Sequence, residues 1–245
     1  VLLPLAALVV RSSGGGWDGF LRTIGSPRAL ASLRFTFGAS LIAAAIDGVF
    51  GTIVAWVLAR YQFPGKRLVD AVIDLPLALP TAVAGIALTA VWAKNGWLGA
   101  PLERLGLEVA FTRAGVVVAL AFVGLPFMVR AVQPVMETLD PALEEAAATL
   151  GATPFQSAFR VVLPSLAPAI RAGFAAAFAR ALGEYGSVVF ISGNMPMRTE
   201  ISSLLIMTKL EQYDYAGAAS LGVVLLGASL ALLVLIHRLQ PGGAG

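Results

Sequence analysis

Residues 137–166 read ETLDPALEEAAATLGATPFQSAFRVVLPSL, and they separate two long apolar stretches, 114–132 and 167–192. This connection is too short and too polar to cross a membrane, yet it has its own helix boundaries. Asp140 can cap a first short helix with Pro141 in its first turn. Gly151 can end that helix in a left-handed conformation. The pattern therefore predicts a structured connection between two apolar segments.

A second short helix follows in the same connection. Thr153 and Gln156 stand three residues apart with Pro154 between them, which is the spacing of a capping box. Pro164 is expected to close this helix, since proline interrupts helical hydrogen bonding. The two helices carry a partly apolar surface formed by Leu143, Leu150, Phe155, Phe159 and Val162. Such a surface outside a membrane span predicts a protein partner.

The composition identifies a bilayer as the solvent. Of the 245 residues, 58% are hydrophobic and 13% are charged, whereas soluble domains have roughly 45–50% apolar residues. Five apolar stretches are each long enough to cross a bilayer as a helix: 37–59, 68–93, 114–132, 167–192 and 216–237. Residues 1–10 are also apolar but too short, so they are interpreted as the end of a first span that starts before this sequence. We therefore predict an all-α polytopic membrane protein with six transmembrane helices, the first of them truncated.

Prolines interrupt several of these stretches. Pro76 and Pro80 lie in the third segment and Pro126 in the fourth. Inside lipid, the carbonyl groups that proline frees must be satisfied by neighbouring helices or by water. Kinks are therefore expected, and they either face a pore or only improve packing. No internal repeat is visible.

Several classes of chemistry find no support. The chain has no cysteine and one histidine, His237, so disulfides, thiolate metal sites and cysteine nucleophiles are excluded. No phosphate loop occurs, because the run from Gly65 to Arg67 lacks the rest of that motif. The net charge of +3 does not indicate nucleic acid. We expect no catalytic centre, metal or cofactor in this chain, and a membrane enzyme is a weak alternative.

The connection at 137–166 also resembles the EAA motif of ABC importer permeases. The resemblance covers Glu145, Ala146, Ala147, Gly151, Val161, Leu163 and Pro164. It implies a type I ABC importer permease fold and a cytoplasmic loop whose short coupling helix sits in a groove of an ATPase subunit. The residues that it implies for ATPase coupling are Glu145, Ala146, Ala147, Gly151, Leu163 and Pro164. ATP hydrolysis would then belong to a partner ATPase.

This orientation implies an arrangement of the whole chain. With six spans and a cytoplasmic loop, both termini lie in the cytoplasm and the protein is a multi-pass protein of the inner membrane. Residues 1–31 form the end of the first span and a periplasmic loop. Residues 32–238 form the transmembrane domain, with the coupling loop at 137–166, and residues 239–245 form a C-terminal tail.

The region that begins at the end of the fifth predicted span resembles permeases for oxyanions. Residues 183–196, GEYGSVVFISGNMP, are similar to both sulfate and molybdate permeases, whereas 199–206 and EQYDY at 211–215 resemble sulfate/thiosulfate importer permeases. The resemblance implies a second related permease, an ATP-binding cassette ATPase dimer, a periplasmic sulfate-binding protein and transport by alternating access in the lipid membrane. A molybdate or tungstate permease, or a secondary anion transporter, remains an alternative.

Four of the ionisable residues in or beside the apolar stretches are functional candidates, because each charge costs at least ~2.5 kcal/mol at the bilayer centre. Arg180 and Glu184 are four residues apart and can pair. That pair is expected either to line or gate a pore, or to be structural and face the partner permease. Asp47 is expected to make an interhelical hydrogen bond. Asp74 lies near the start of its span, where water can reach it.

Overall fold

The computed structural model describes residues 2–12, 14 and 16–238, so the predicted C-terminal tail at 239–245 lies outside the described residues. Within the described part the chain is helical and contains no strand. Its helices are α1 (Leu2–Ser12), α2 (Gly16–Ile24), α3 (Pro27–Arg60), α4 (Lys66–Ile73), α5 (Leu75–Ala78), α6 (Thr81–Trp92), α7 (Gly99–Glu103), α8 (Arg113–Thr138), α9 (Ala142–Thr149), α10 (Pro154–Ser157), a π-helical turn (Ala158–Val162), α11 (Leu163–Leu182), α12 (Gly186–Ile191), α13 (Ser202–Glu211) and α14 (Tyr215–Arg238).

Four helices of the described residues are long and apolar enough to cross a membrane. They are α3, α8, the continuous helix Pro154–Leu182, and Tyr215–Leu232 within α14. These four contain most of the predicted stretches at 37–59, 114–132, 167–192 and 216–237. Helix α1 has 11 residues, which is too short to span. The third predicted span, at 68–93, has a different structure.

The predicted span at 68–93 is not one continuous helix, and the interruption expected at its prolines is present. This segment consists of α4, α5 and α6, and two prolines set its boundaries. Pro76 lies in the first turn of α5, where its missing N–H removes no helical bond. Pro80 precedes α6, and Leu79 before it is extended, with φ −78° and ψ 138°. The prolines thus divide the third segment into separate helices.

The prediction that Pro164 closes the second helix of the connection is also wrong. The helix continues from Pro154 to Leu182, and the π-helical turn Ala158–Val162 lies directly before the proline. The Leu163 N–H donates to the carbonyl of Ala158, five residues earlier. This wider turn makes room for the proline ring, so the helix is not interrupted. It ends at Leu182, before residues 183–192 of the predicted span.

Small residues let the long helices α3, α8 and α11 approach each other closely. Met128 of α8 lies between Gly51 of α3 and Gly173 of α11. A Cβ atom at Gly51 would stand 2.7 Å from Met128 Cγ, and one at Gly173 would stand 2.6 Å from Met128 Sδ. The core around this contact is made of Ala55, Leu58, Ile73, Met128, Val129, Val132, Met136, Val162 and Leu166.

A second close contact joins the two interrupted segments. Helix α6 crosses α12 at Gly85, where an added Cβ atom would lie 2.5 Å from the carbonyl oxygen of Ser187. A Cβ atom at Gly186 would likewise meet the Thr81 hydroxyl. Because the nearest atom to Gly85 belongs to the backbone, a larger residue there cannot be accommodated by a side-chain rotation. The break before α6 and the break before α12 therefore lie side by side.

We predict that Gly85→Ala destabilises the protein by about 1–3 kcal/mol through overpacking, although alanine is the better helix former. Thermal unfolding in detergent measures this. The matched control is Gly227→Ala in α14, where an added Cβ atom has no atom within 4 Å, so its midpoint should stay the same or rise. Equal midpoints for the two variants would contradict the close contact.

Candidate functional site

The first half of the connection between α8 and α11 has the predicted turns. The Asp140 carboxylate accepts a hydrogen bond from the Ala142 N–H at 2.9 Å, just before α9. Gly151 follows α9 with φ +84°, in the left-handed region. The Gly151 N–H donates to the Ala148 carbonyl at 2.9 Å. The predicted end of the first helix at Gly151 is confirmed, and this position favours glycine.

The predicted capping box is present at the start of α10. The Gln156 N–H donates to Thr153 Oγ1 at 3.3 Å, and the Thr153 N–H donates to Gln156 Oε1 at 2.9 Å. Both bonds satisfy amides that a helix start otherwise leaves free. The loop is thus fixed by its own local contacts.

The loop exposes apolar side chains, as predicted for all but one residue. Leu150 is 88% exposed and Phe155 is 69% exposed. The rings of Phe155 and Phe159 contact each other, with centroids 4.3 Å apart. The prediction is wrong for Val162, because this residue is fully buried in the core with Leu166. The four exposed residues, Leu143, Leu150, Phe155 and Phe159, are called the apolar loop surface below.

A groove of about 630 Å³ lies between α9 and the end of α3. Glu144 and Glu145 both line this groove, together with Arg60. Glu144 Oε1 and Arg60 Nη2 are 2.6 Å apart, so an ion pair joins the loop to α3. Sequence reasoning missed Arg60, although a cation at the end of a long apolar stretch is a recognisable signal. Glu145 is exposed and makes no ion pair with another described residue.

The remaining residues of the motif are divided between two helices. Ala146 is exposed and Ala147 is buried, both on α9. Leu163 and Pro164 lie in the first turn of α11, beyond the π-helical turn. The structure therefore brings Glu145, Ala147 and Gly151 together, and it places Leu163 and Pro164 on the long helix that follows.

Arg180 and Glu184 form an ion pair at the other end of that helix. Arg180 Nη1 and Glu184 Oε2 are 2.6 Å apart, and the side chain of Glu184 is only 2% exposed. The other carboxylate oxygen, Oε1, accepts hydrogen bonds from the N–H and the hydroxyl of Ser187, both at 2.8 Å. The Glu184 carboxylate thus accepts hydrogen bonds from the first turn of α12. The sequence did not indicate this second role of Glu184.

The hydrogen bonding of Asp47 differs from the prediction. It is buried on α3, but its Oδ2 atom has no hydrogen-bond partner among the described residues. The facing residue on α8 is Gly124, which has no side-chain donor, and Asp47 Oδ2 fills the space where a Cβ atom would stand. The predicted interhelical hydrogen bond is therefore wrong.

Asp74 is accessible, as predicted, with 43% of its side chain exposed. It also shares Arg130 of α8 with Asp70, at N–O distances of 2.6 and 2.7 Å. A further pair joins Glu200, which is 2% exposed, to Arg28 at the start of α3. Sequence reasoning missed both arginines, because their partners lie far away along the chain.

Comparison with known proteins identifies the family of this chain. The family described as binding-protein-dependent transport system inner membrane component matches residues 48–242. The chain belongs to this family. Its members are membrane components of transport systems, and this assignment places the chain in the inner membrane.

Relatives of the family cover nearly the whole chain. The sulfate transport system permease protein CysT of Escherichia coli is 47% identical over 240 residues, which are 98% of this chain and 87% of the relative. The probable sulfate transport system permease protein of Nephroselmis olivacea is 49% identical over 98% of this chain and 84% of the relative.

The fold is also that of solved ABC transporters. A chain of a bacterial alginate ABC transporter, crystallised with a periplasmic protein bound to an alginate pentasaccharide, superposes with a TM-score of 0.80. It is 17% identical and covers 98% of this chain and 88% of that chain. The type I ABC importer permease fold expected from the sequence is confirmed.

We predict a strong coupling between Arg180 and Glu184 in a double-mutant cycle. Arg180→Leu alone leaves the buried Glu184 charge without a partner, an effect of about 3–5 kcal/mol in buried soluble cases. Glu184→Gln in the same chain should restore yield and stability of the assembled complex, because glutamine Oε1 can still accept from Ser187. Additive losses in the cycle would contradict the pairing.

Glu184→Leu is the matched comparison for the second role of this residue. It removes the acceptor for Ser187 as well as the charge, so the Arg180→Leu and Glu184→Leu double variant should recover less than the variant with glutamine. Equal recovery would show that the hydrogen bonds to Ser187 contribute little. Recovery of assembly without recovery of uptake would assign the pair a gating role.

Proposed function

We propose that this chain is the membrane-spanning permease subunit of an ATP-driven sulfate/thiosulfate importer, in which it forms half of the translocation pore. The observation that carries the proposal is the coupling loop, whose short helices have capped starts and which exposes apolar side chains at one end of the long helices. A surface of this kind is suited to a protein partner. The sulfate assignment is supported by relatives that are 47–49% identical over nearly the full chain.

The loop couples the chain to a separate ATPase dimer. Leu150, Phe155 and Phe159 of the apolar loop surface enter a groove of the ATPase, while Glu145 contacts its polar rim. Gly151 sets the angle between the two short helices. The coupling residues are Glu145, Ala146, Ala147, Gly151, Leu163 and Pro164.

Two features transmit a movement of the loop to the membrane-spanning part of the chain. The ion pair between Glu144 and Arg60 connects the loop to α3. The uninterrupted helix Pro154–Leu182 connects it to the break at residues 183–185. At that break, Arg180 and Glu184 stand beside the start of α12, so a shift of the loop changes the packing of the two interrupted segments. This arrangement suits alternating access, in which the pore opens to one side at a time.

The proposal also orients the chain. With the coupling loop in the cytoplasm, Arg60 and Thr138 lie at the cytoplasmic ends of α3 and α8, and Pro27 and Arg113 lie at their periplasmic ends. Both termini are then cytoplasmic, and residues 32–238 form the transmembrane domain. A second related permease completes the pore, and a periplasmic sulfate-binding protein delivers the anion.

The proposed function is tested by uptake of labelled sulfate into liposomes that contain the complete complex. We predict that uptake requires ATP inside the vesicle and the binding protein outside it, and that excess molybdate does not compete. Competition by molybdate with faster molybdate uptake would replace sulfate by molybdate or tungstate. Uptake by this chain alone, driven by a proton or sodium gradient, would identify a secondary transporter instead.

We predict that Glu145→Lys and Gly151→Val each reduce ATP-dependent uptake at least tenfold while the chain still inserts in the membrane. The first change reverses the charge at the rim of the loop, and the second places a β-branched residue at φ +84°. Uptake and binding of the ATPase to the membrane complex are measured together.

Two variants serve as controls for this experiment. Asp18→Lys reverses an exposed charge on α2, outside the coupling loop, and Gly151→Asn introduces a residue that tolerates the left-handed region. Both should retain most of the uptake. Normal uptake by both Glu145→Lys and Gly151→Val would refute the assignment of the loop to ATPase coupling.

A further inference from the structure

A second groove lies between the first part of α3 and the start of α8, at the end of the bundle opposite the coupling loop. Its volume is about 560 Å³. Arg34 of α3 precedes Arg60 by about 39 Å of helix, which places this groove far from the loop. The walls include Arg34, Phe35, Gly38, Arg113, Ala114 and Met197, and the lining contains no acidic residue.

Both arginines of this groove lack a carboxylate partner. Among the described residues, no Asp or Glu oxygen lies within 4.0 Å of a nitrogen of Arg34 or Arg113. Glu200 binds Arg28 in the first turn of α3, and Glu103 and Glu108, which precede α8 in the chain, bind Lys94. The two exposed guanidinium groups therefore leave the groove with an uncompensated positive charge.

Other contacts hold Arg113 in a defined orientation. Its Nε–H donates to the Arg198 carbonyl at 2.9 Å, and its Cζ atom stands 5.7 Å from the centre of the Phe35 ring. These contacts leave both terminal Nη groups of Arg113 available to a ligand. A guanidinium fixed in this way loses little conformational freedom when it binds an anion.

The start of α8 adds to the positive field. Thr112 precedes the helix, but its hydroxyl donates to the Val109 carbonyl at 2.7 Å and does not cap the first amides of α8. Ala114, in the first turn, lines the groove. The uncapped end of a 26-residue helix carries a partial positive charge that favours anions.

We propose that this groove is a binding site for a tetrahedral oxyanion, with Arg34 and Arg113 as its ligands. Planar guanidinium groups bind the oxygens of sulfate and phosphate with paired, charge-assisted hydrogen bonds. The proposal rests on the proposed function, in which sulfate enters from this side of the membrane. The phosphate of a lipid headgroup has the same chemistry, and the experiment separates the two sources.

The test compares the wild-type complex with Arg34→Gln, Arg113→Gln and the double variant. The matched control is Arg104→Gln, which removes an exposed arginine that lies outside the groove and forms no ion pair with another described residue. Binding is measured as the shift of the thermal unfolding midpoint of the purified complex, without binding protein, in detergent free of phospholipid. Sodium sulfate is added, with sodium chloride at equal ionic strength as the reference.

We expect sulfate to raise the midpoint of the wild type and of Arg104→Gln. Each single variant should need about tenfold more sulfate for the same shift, which corresponds to the loss of one charge-assisted hydrogen bond. The double variant should show no shift beyond that of chloride. Sulfate uptake in liposomes should fall in the same order, while stimulation of the ATPase by the loaded binding protein persists.

A second titration identifies the source of the oxyanion. Phosphatidylglycerol is added to the detergent solution in place of sulfate. Protection of the wild type by the lipid alone, lost in the double variant, would assign the site to a lipid headgroup. Equal protection of the wild type and the double variant by both ligands would overturn the proposal. Absence of ATP-dependent sulfate uptake by the wild type would refute the proposed function, whereas the binding titration would still decide the site.

Discussion

Backbone amides and carbonyls inside a bilayer have no water to bind, so each interruption of a helix must be satisfied by protein. This constraint governs the two broken segments of the chain. At the break after Leu182, the Glu184 carboxylate accepts a hydrogen bond from the Ser187 N–H, and the Ser203 hydroxyl donates to the Glu184 carbonyl at 2.7 Å. At the other break, Pro80 has no N–H to satisfy. Each interruption is therefore tolerated for a different reason.

The two breaks are also neighbours, and their contact has a consequence for movement. Gly85 of α6 lies directly on the backbone at Ser187, so a shift of either helix towards the other would be opposed by backbone contact. By contrast, the helix that leads from the coupling loop to Leu182 is continuous, and its π-helical turn absorbs Pro164 without a break. This continuous helix ends beside the packed helices α6 and α12. A displacement of the coupling loop at one face of the membrane can therefore be transmitted to the interrupted segments within it.

Local features of the connection at 137–166 were predictable from the sequence, because caps and left-handed turns depend on residues only a few positions apart. Gly151 and the pair Thr153 and Gln156 behaved as their types require. An interruption of 68–93 was expected from its prolines, but the bounds of the separate helices and the continuation of the helix through Pro164 were not predictable in this way. Hydropathy does not report where a proline falls within a helical turn, and a π-helical turn has no simple sequence signature.

The contacts of the buried polar residues were also hard to predict, because they depend on tertiary structure. Asp47 looked suited to an interhelical hydrogen bond, but its neighbour across the helix crossing is Gly124. Glu184 was recognised as a partner of Arg180, whereas its bonds to Ser187 depend on where α12 begins. A periodicity argument identifies the residues of one helix that share a face. It cannot identify what the next helix presents to that face.

The ion pairs of the protein differ in what they contribute. The pair between Arg60 and Glu144 is partly exposed, and such pairs contribute about 0–1 kcal/mol to stability. It joins α9 of the loop to the end of α3. Glu200 is different, because its side chain is 1% exposed and both of its oxygens bind Arg28. A buried charge of this kind depends on its partner far more than an exposed one does, so loss of Arg28 would leave the buried Glu200 charge without its partner at the start of α3.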